Sequence, residues 1–127
     1  MNTDDRKNVG GRNFGEGLKV SIFACRGASN EALCNEINQR ILSTIRMNSG
    51  GMSPKCWEFP TEEGKGGSGI TLVQPLVESF IIWDTWVDND GAFCFVVSCK
   101  EYDSDIVENI LGEYFEVSQR DVVITQL

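Results

Sequence analysis

The sequence predicts an α+β two-layer sandwich, with two helices on one face of a mostly antiparallel sheet, on three observations. Two segments repeat apolar residues at helical spacings of three and four, and several others are rich in β-branched and aromatic residues. These segments follow one another as strand, helix, two or three antiparallel strands, helix, strand, an order that puts both helices on one side of a single sheet. The length of 127 residues leaves room for one domain.

Residues 1–18, MNTDDRKNVGGRNFGEGL, mix charge with glycine and hold too few apolar groups to offset the entropy of ordering them, so a flexible tail is expected before a domain at 19–127. Lys19 to Ala24, KVSIFA, reads as a strand. A turn at Arg26-Gly27-Ala28 then leads to Ser29, the expected N-cap of a first helix. Its stripe is Leu33, Cys34, Ile37, Ile41, Leu42 and Ile45, ending near Asn48-Ser49-Gly50-Gly51. Lys55 to Phe59, between Pro54 and Pro60, reads as an edge strand because proline cannot donate into a ladder interior.

Gly64 to Gly69 is a glycine-rich segment that does not match G-x-x-x-x-G-K-[ST], so it reads as a hinge or lid rather than a phosphate cradle. ITLVQPLVESFIIWDTWV, interrupted by Pro75, and AFCFVVSC after an Asn-Asp-Gly turn are expected to form a hairpin of long strands. Asp103 or Ser104 can cap a second helix with the stripe Ile106, Val107, Ile110, Leu111, Tyr114 and Phe115. DVVITQL closes the chain as a strand. With both helices on one face, the other face is left bare, which calls for self-association as a dimer or trimer with ligand sites near subunit boundaries.

Composition narrows the function. Nineteen acidic residues against eleven basic ones leave a formal charge of -8, which repels nucleic-acid phosphates and favours cationic small molecules. No apolar run approaches the roughly 20 residues that span a bilayer, so no membrane partner is expected. Histidine is absent from the chain, which removes the commonest general base, the commonest zinc ligand and every Ser/His or Cys/His pair. Five cysteines without a CxxC, and an N-terminus without a secretory apolar region, predict free thiols in a reducing cytoplasm. Cys94 and Cys99 fall on opposite faces of their strand and cannot chelate one metal together, so no metal is expected.

In the strand beginning near Val77, a period of two places Glu78, Phe80, Ile82, Asp84 and Trp86 on one face, and Ser79, Ile81, Trp83 and Thr85 on the other. Two carboxylates beside an indole, on an otherwise apolar face, read either as solvated acids near the sheet end or as a pocket for a cationic aromatic ligand. A sulfonium or ammonium carried on a flat heterocycle would suit such a pocket, through Coulomb attraction, cation–π contact and stacking. Trp57-Glu58-Phe59 reads as an aromatic wall or simply as an edge strand, and Glu62-Glu63 as a solvated charge pair.

Residues 78–86, Glu-Ser-Phe-Ile-Ile-Trp-Asp-Thr-Trp, resemble the E-S-H-x-x-x-H-T-W-P-E signature of bacterial and archaeal S-adenosylmethionine decarboxylases, which cut themselves at the Glu-Ser bond to make a pyruvoyl group. The similarity covers most of residues 18 to 127. It implies Ser79 as the pyruvoyl precursor, Cys99 as the proton donor, and Trp57 and Trp86 as contacts to the adenosyl group. Asp84 stands where that family has the histidine that helps processing, Phe80 replaces the other histidine, and Val87-Asp88 replaces Pro-Glu. An aspartate of ordinary pKa, roughly 4, stays anionic near neutrality and cannot relay the proton.

Val20-Ser21-Ile22-Phe23, the segment from Leu33 to Asn38, Val97-Ser98-Cys99-Lys100 and the run from Asp121 to Ile124 are similar to the phage-encoded S-adenosylmethionine lyases. Those enzymes lack a pyruvoyl group and release methylthioadenosine and homoserine lactone. This resemblance implies a cofactor-free trimeric enzyme of the host cytoplasm. It makes Glu78 and Asp84 the catalytic set and Trp57, Ser79, Trp86 and Cys99 the substrate contacts. A self-processed decarboxylase of polyamine biosynthesis and an inactive S-adenosylmethionine-binding protein are the alternatives, because fold does not fix function.

Overall fold

The computed structural model describes residues 16–59, 68–86 and 90–127. Six strands form one antiparallel sheet: β1 (Gly17–Arg26), β2 (Lys55–Phe59), β3 (Gly69–Pro75), β4 (Ser79–Trp86), β5 (Gly91–Ser98) and β6 (Glu116–Gln126). Their spatial order is β2-β3-β4-β5-β1-β6. Helices α1 (Glu31–Ile45) and α2 (Ser104–Leu111) complete the α+β sandwich. β2 is an edge strand, as its flanking prolines require. Residues 1–15 of the expected tail, most of the glycine-rich segment, Glu62-Glu63 and Val87-Asp88 lie outside the described residues. Gly17 and Leu18, assigned to the tail by composition, are the first residues of β1.

Alternation builds the core. In β1 the side chains of Lys19, Ser21, Phe23 and Cys25 are buried, in β4 those of Ile81, Trp83 and Thr85, and in β5 those of Ala92, Cys94, Val96 and Ser98. They meet the buried stripe of α1, Cys34, Ile37, Ile41, Leu42 and Ile45, together with Val107, Ile110 and Leu111 of α2. Trp83 anchors this layer. Its ring is fully buried, its Nε1 donates to Asn38 Oδ1 of α1 at 2.7 Å, and its centroid lies 5.8 Å from that of Phe115.

The caps explain where the helices start and stop. Asn30, not Ser29, is the N-cap of α1, because its Oδ1 accepts from the Leu33 N–H at 2.8 Å. At the other end Arg46 adopts a left-handed conformation (φ 61°) and returns its N–H to the Leu42 carbonyl. Asp103 caps α2. The apolar stripe expected for α2 outruns the helix, which ends at Leu111; Tyr114 and Phe115 sit in the following turn. At Gly69 the chain passes so close to β4 that a Cβ there would lie 1.8 Å from the Thr85 carbonyl oxygen, so only glycine fits.

Among the described residues nothing covers the opposite face of the sheet. Leu18, Val20 and Ile22 of β1 share it with Phe80, Ile82 and Trp86 of β4 and Phe93 and Phe95 of β5, since directly paired residues point the same way. The bare apolar face inferred from the element order is therefore present in a single copy of the chain.

Candidate functional site

The β3–β4 hairpin sets the position of Glu78. Pro75 pairs with Phe80, and the chain turns through Leu76, Val77 and Glu78, closed by the Leu76 N–H donating to the Ser79 carbonyl at 2.9 Å. The backbone bends at Val77-Glu78, and β4 begins only at Ser79. Strand parity therefore fails for Glu78. Its carboxylate does not join Asp84 and Trp86 on the open face but reaches the helix layer, where Oε1 accepts the Asn48 N–H at 3.0 Å in the segment after α1. Glu78 is 0% exposed, and Oε2 finds no hydrogen-bond partner among the described residues.

Ser79 and Cys99 gather around this carboxylate's backbone. Ser79 pairs with Ser98 and shares the helix-facing side with Ile81 and Trp83. Cys99 follows the end of β5, and its N–H donates to the Glu78 carbonyl at 3.0 Å. Its largely buried thiol borders a cavity of about 440 Å³ formed with the start of β1 and the end of β6, among them Leu18 and Thr125. Glu78, Ser79 and Cys99 thus form one cluster at the end of the sheet where β1 starts.

Asp84, Trp57 and Trp86 form a second cluster. Trp57 pairs with Thr71 and Thr71 with Asp84, so the indole, the hydroxyl and the carboxylate stand in one row across β2, β3 and β4 on the open face. Thr71 Oγ1 donates to Asp84 Oδ1 at 3.4 Å. Trp57 is 51% exposed. Trp86, 37% exposed, meets Phe93 edge to face with ring centroids 5.5 Å apart, beside a cavity of about 330 Å³ that Arg26 also lines. Asp84 lies five residues along β4 from Ser79, about 17 Å at the usual rise, and on the opposite face. Within one copy of the chain the six residues therefore make two sites rather than one.

The remaining thiols belong to the core. Burial pushes Cys25 and Cys34 up to about 12, from an ordinary value near 9, and also raises Cys94 well above that ordinary value. Cys56 is raised to about 11 by burial and by the neighbouring Glu31 carboxylate. Such thiols stay protonated near neutrality and are poor nucleophiles. No group of three or more Cys, Asp or Glu among the described residues could hold a metal ion.

Sequence reasoning gave Lys100 no role beyond its place in the Val97-Ser98-Cys99-Lys100 segment. It is 0% exposed, directly after Cys99, and its Nζ has no hydrogen-bond partner among the described residues. A lysine at a strand end ordinarily reads as solvated, so only its place beside Cys99 could have drawn attention to it.

The single sheet with both helices on one side defines the fold class, which is shared with solved structures. The chain is similar to the adenosylmethionine decarboxylase of Aquifex aeolicus, with a TM-score of 0.62, 15% identity and coverage of 91% of both chains. At that identity the likeness is one of fold. No family model matches the sequence, and no curated protein does.

Proposed function

We propose that the protein is an S-adenosylmethionine lyase. The observation that carries this reading is Glu78, a fully buried carboxylate with one oxygen unpartnered among the described residues, at the Glu-Ser step that resembles the decarboxylase signature. Its charge suits the ammonium or sulfonium end of the substrate. Ser79 and Cys99 flank it as polar contacts, while Trp57 and Trp86 pack on adenine and Asp84 adds a polar contact on the open face. Because the two clusters stand apart in one chain, the substrate is taken at a boundary between copies. A homo-oligomer, with a trimer favoured by the resemblance to the lyases, covers the apolar face.

The chemistry needs no histidine. A carboxylate oxygen of the substrate attacks its own γ-carbon; the bond from that carbon to the sulfonium breaks, and its electron pair goes to sulfur. Methylthioadenosine and homoserine lactone result, with no proton transferred and no external nucleophile. The protein's part is to fold the substrate into attack geometry and to exclude the water that masks its carboxylate.

A pyruvoyl decarboxylase is the second reading, favoured by the hydrogen bond from the Cys99 N–H to the carbonyl of Glu78, whose peptide bond to Ser79 processing would cut. Against it stand the absence of histidine and the position of Asp84, about 17 Å from Ser79 on the other face. Intact-mass measurement of the purified protein, followed by activity after borohydride treatment, tests the choice. The lyase predicts one chain with full activity; two chains and loss of activity on reduction would replace it with the decarboxylase.

A further inference from the structure

The two lysines buried among the described residues are treated differently by the fold. Lys19, in β1, donates to Glu101 Oε1 at 2.8 Å and to the Tyr102 carbonyl at 2.6 Å, and its ammonium lies 4.6 Å from the centre of the Tyr102 ring. Lys100 has no such partners among the described residues and is more completely buried. An unpaired buried ammonium is among the costliest features a fold can carry, and a buried carboxylate oxygen without a donor is comparable. Both occur here at one sheet end, Glu78 in the turn just before β4 and Lys100 just past the end of β5.

Their surroundings tie them together. The Cys99 N–H reaches the Glu78 carbonyl, and Lys100 is the next residue; the Lys100 N–H donates to Ser98 Oγ at 2.8 Å, which itself lies 3.7 Å from Met47 Sδ. Asn48, the residue after Met47, donates to Glu78 Oε1, and its carbonyl accepts the Val77 N–H at 2.8 Å. Residues 46–52 thus form a strap over the Glu78 carboxylate that also touches Ser98, two residues before Lys100. Met52 is held by Gln74, whose Nε2 donates to the Met52 carbonyl at 3.1 Å. Arg46, Gly50 and Gly51 have positive φ, and a Cβ on Gly50 would come within 2.9 Å of Val77 Cγ2, so the strap sits tightly on the hairpin.

We propose that Lys100 receives the carboxylate of the substrate's amino-acid end while Glu78 holds its α-ammonium, in a closed site that residues 46–52 cover and must lift to admit it. This deepens the S-adenosylmethionine reading and rests on it. An α-amino acid carries both charges one carbon apart, so a buried ammonium and a buried carboxylate at the adjoining ends of β5 and β4 are its complement. With one carboxylate oxygen engaged by Lys100, the other remains available to attack the γ-carbon. Lys100 is thereby a positioning and specificity residue, one that separates ligands with an amino-acid end from those without.

Calorimetric titration of the full-length protein, Lys100→Met and Lys100→Gln with S-adenosylmethionine and with methylthioadenosine, alongside thermal melts, tests this. Both variants should bind S-adenosylmethionine about 10- to 100-fold more weakly. Methylthioadenosine, which has no carboxylate, should bind all three proteins alike. Lys100→Met should melt at a higher temperature, because it removes an unpartnered buried charge. A purely structural lysine predicts the reverse, so a lower melting temperature, failure to fold, or equal losses for both ligands would overturn the proposal. Unchanged S-adenosylmethionine affinity in both variants would overturn it while leaving the S-adenosylmethionine reading intact. No binding to the unmodified protein would remove that reading and the proposal together.

Discussion

Trp83 and Trp86 stand three residues apart on β4 and live in different environments. Trp83 faces the helices, fully buried and hydrogen-bonded to Asn38, while Trp86 faces the bare side, in edge contact with Phe93 and more than a third exposed. Glu78 and Asp84 repeat the contrast between carboxylates: one is sealed beneath the strap after α1, the other lies in an open row with Thr71 and Trp57. The helix-covered face spends its large side chains on holding the fold together, and the uncovered face holds aromatic surface that folding leaves unused. Glu78 departs from that pattern, a carboxylate buried on the covered side with one oxygen left without a partner among the described residues.

Substitution of the two tryptophans separates these roles most sharply. Trp83→Ala should destabilise the protein by about 3–5 kcal/mol in urea unfolding, through the cavity it leaves and the loss of the bond to Asn38. A loss under 1 kcal/mol would mean that the covered face is not the core. Glu78→Ala should lower kcat/KM on S-adenosylmethionine by about 100-fold or more with the oligomer unchanged by size-exclusion chromatography. Near-normal turnover would remove Glu78 from the site.

Alkali probes the covered face differently. Cys25 and Cys34 titrate near 12 in the folded protein and near 9 when unfolded, so the stability they hold is complete below pH 9 and is lost as the pH rises toward 12. Each thiol should cost about 1.4 kcal/mol per pH unit in that window. Denaturation midpoints that stay level from pH 9 to 11 would contradict this. Trp86→Ala should have the smallest effect, about 1 kcal/mol in substrate affinity with little change in melting temperature. A stability loss as large as that of Trp83→Ala would erase the distinction between the faces.

Much of this is legible in the sequence. The apolar stripe of α1 and the alternation in β4 from Ser79 onward follow from periodicity alone, and the flanking prolines marked β2 as an edge. Parity misled at Glu78, because a turn at Val77-Glu78 breaks the period of two one residue before the strand begins. Local chemistry also chose between near-equivalent caps, Asn30 over Ser29, which a rule giving both residues similar preference cannot do. The separation of Asp84 from Glu78 depends on strand length and face together, and the isolation of Lys100 depends on neighbours from three segments. A linear reading holds none of that information.

The most direct test of the account is to incubate the purified protein with S-adenosylmethionine and resolve the products by mass. Methylthioadenosine together with homoserine lactone is the predicted result. Decarboxylated S-adenosylmethionine would contradict it, showing that Ser79 is processed without histidine; unchanged substrate would show that the buried carboxylate serves binding or architecture and not turnover.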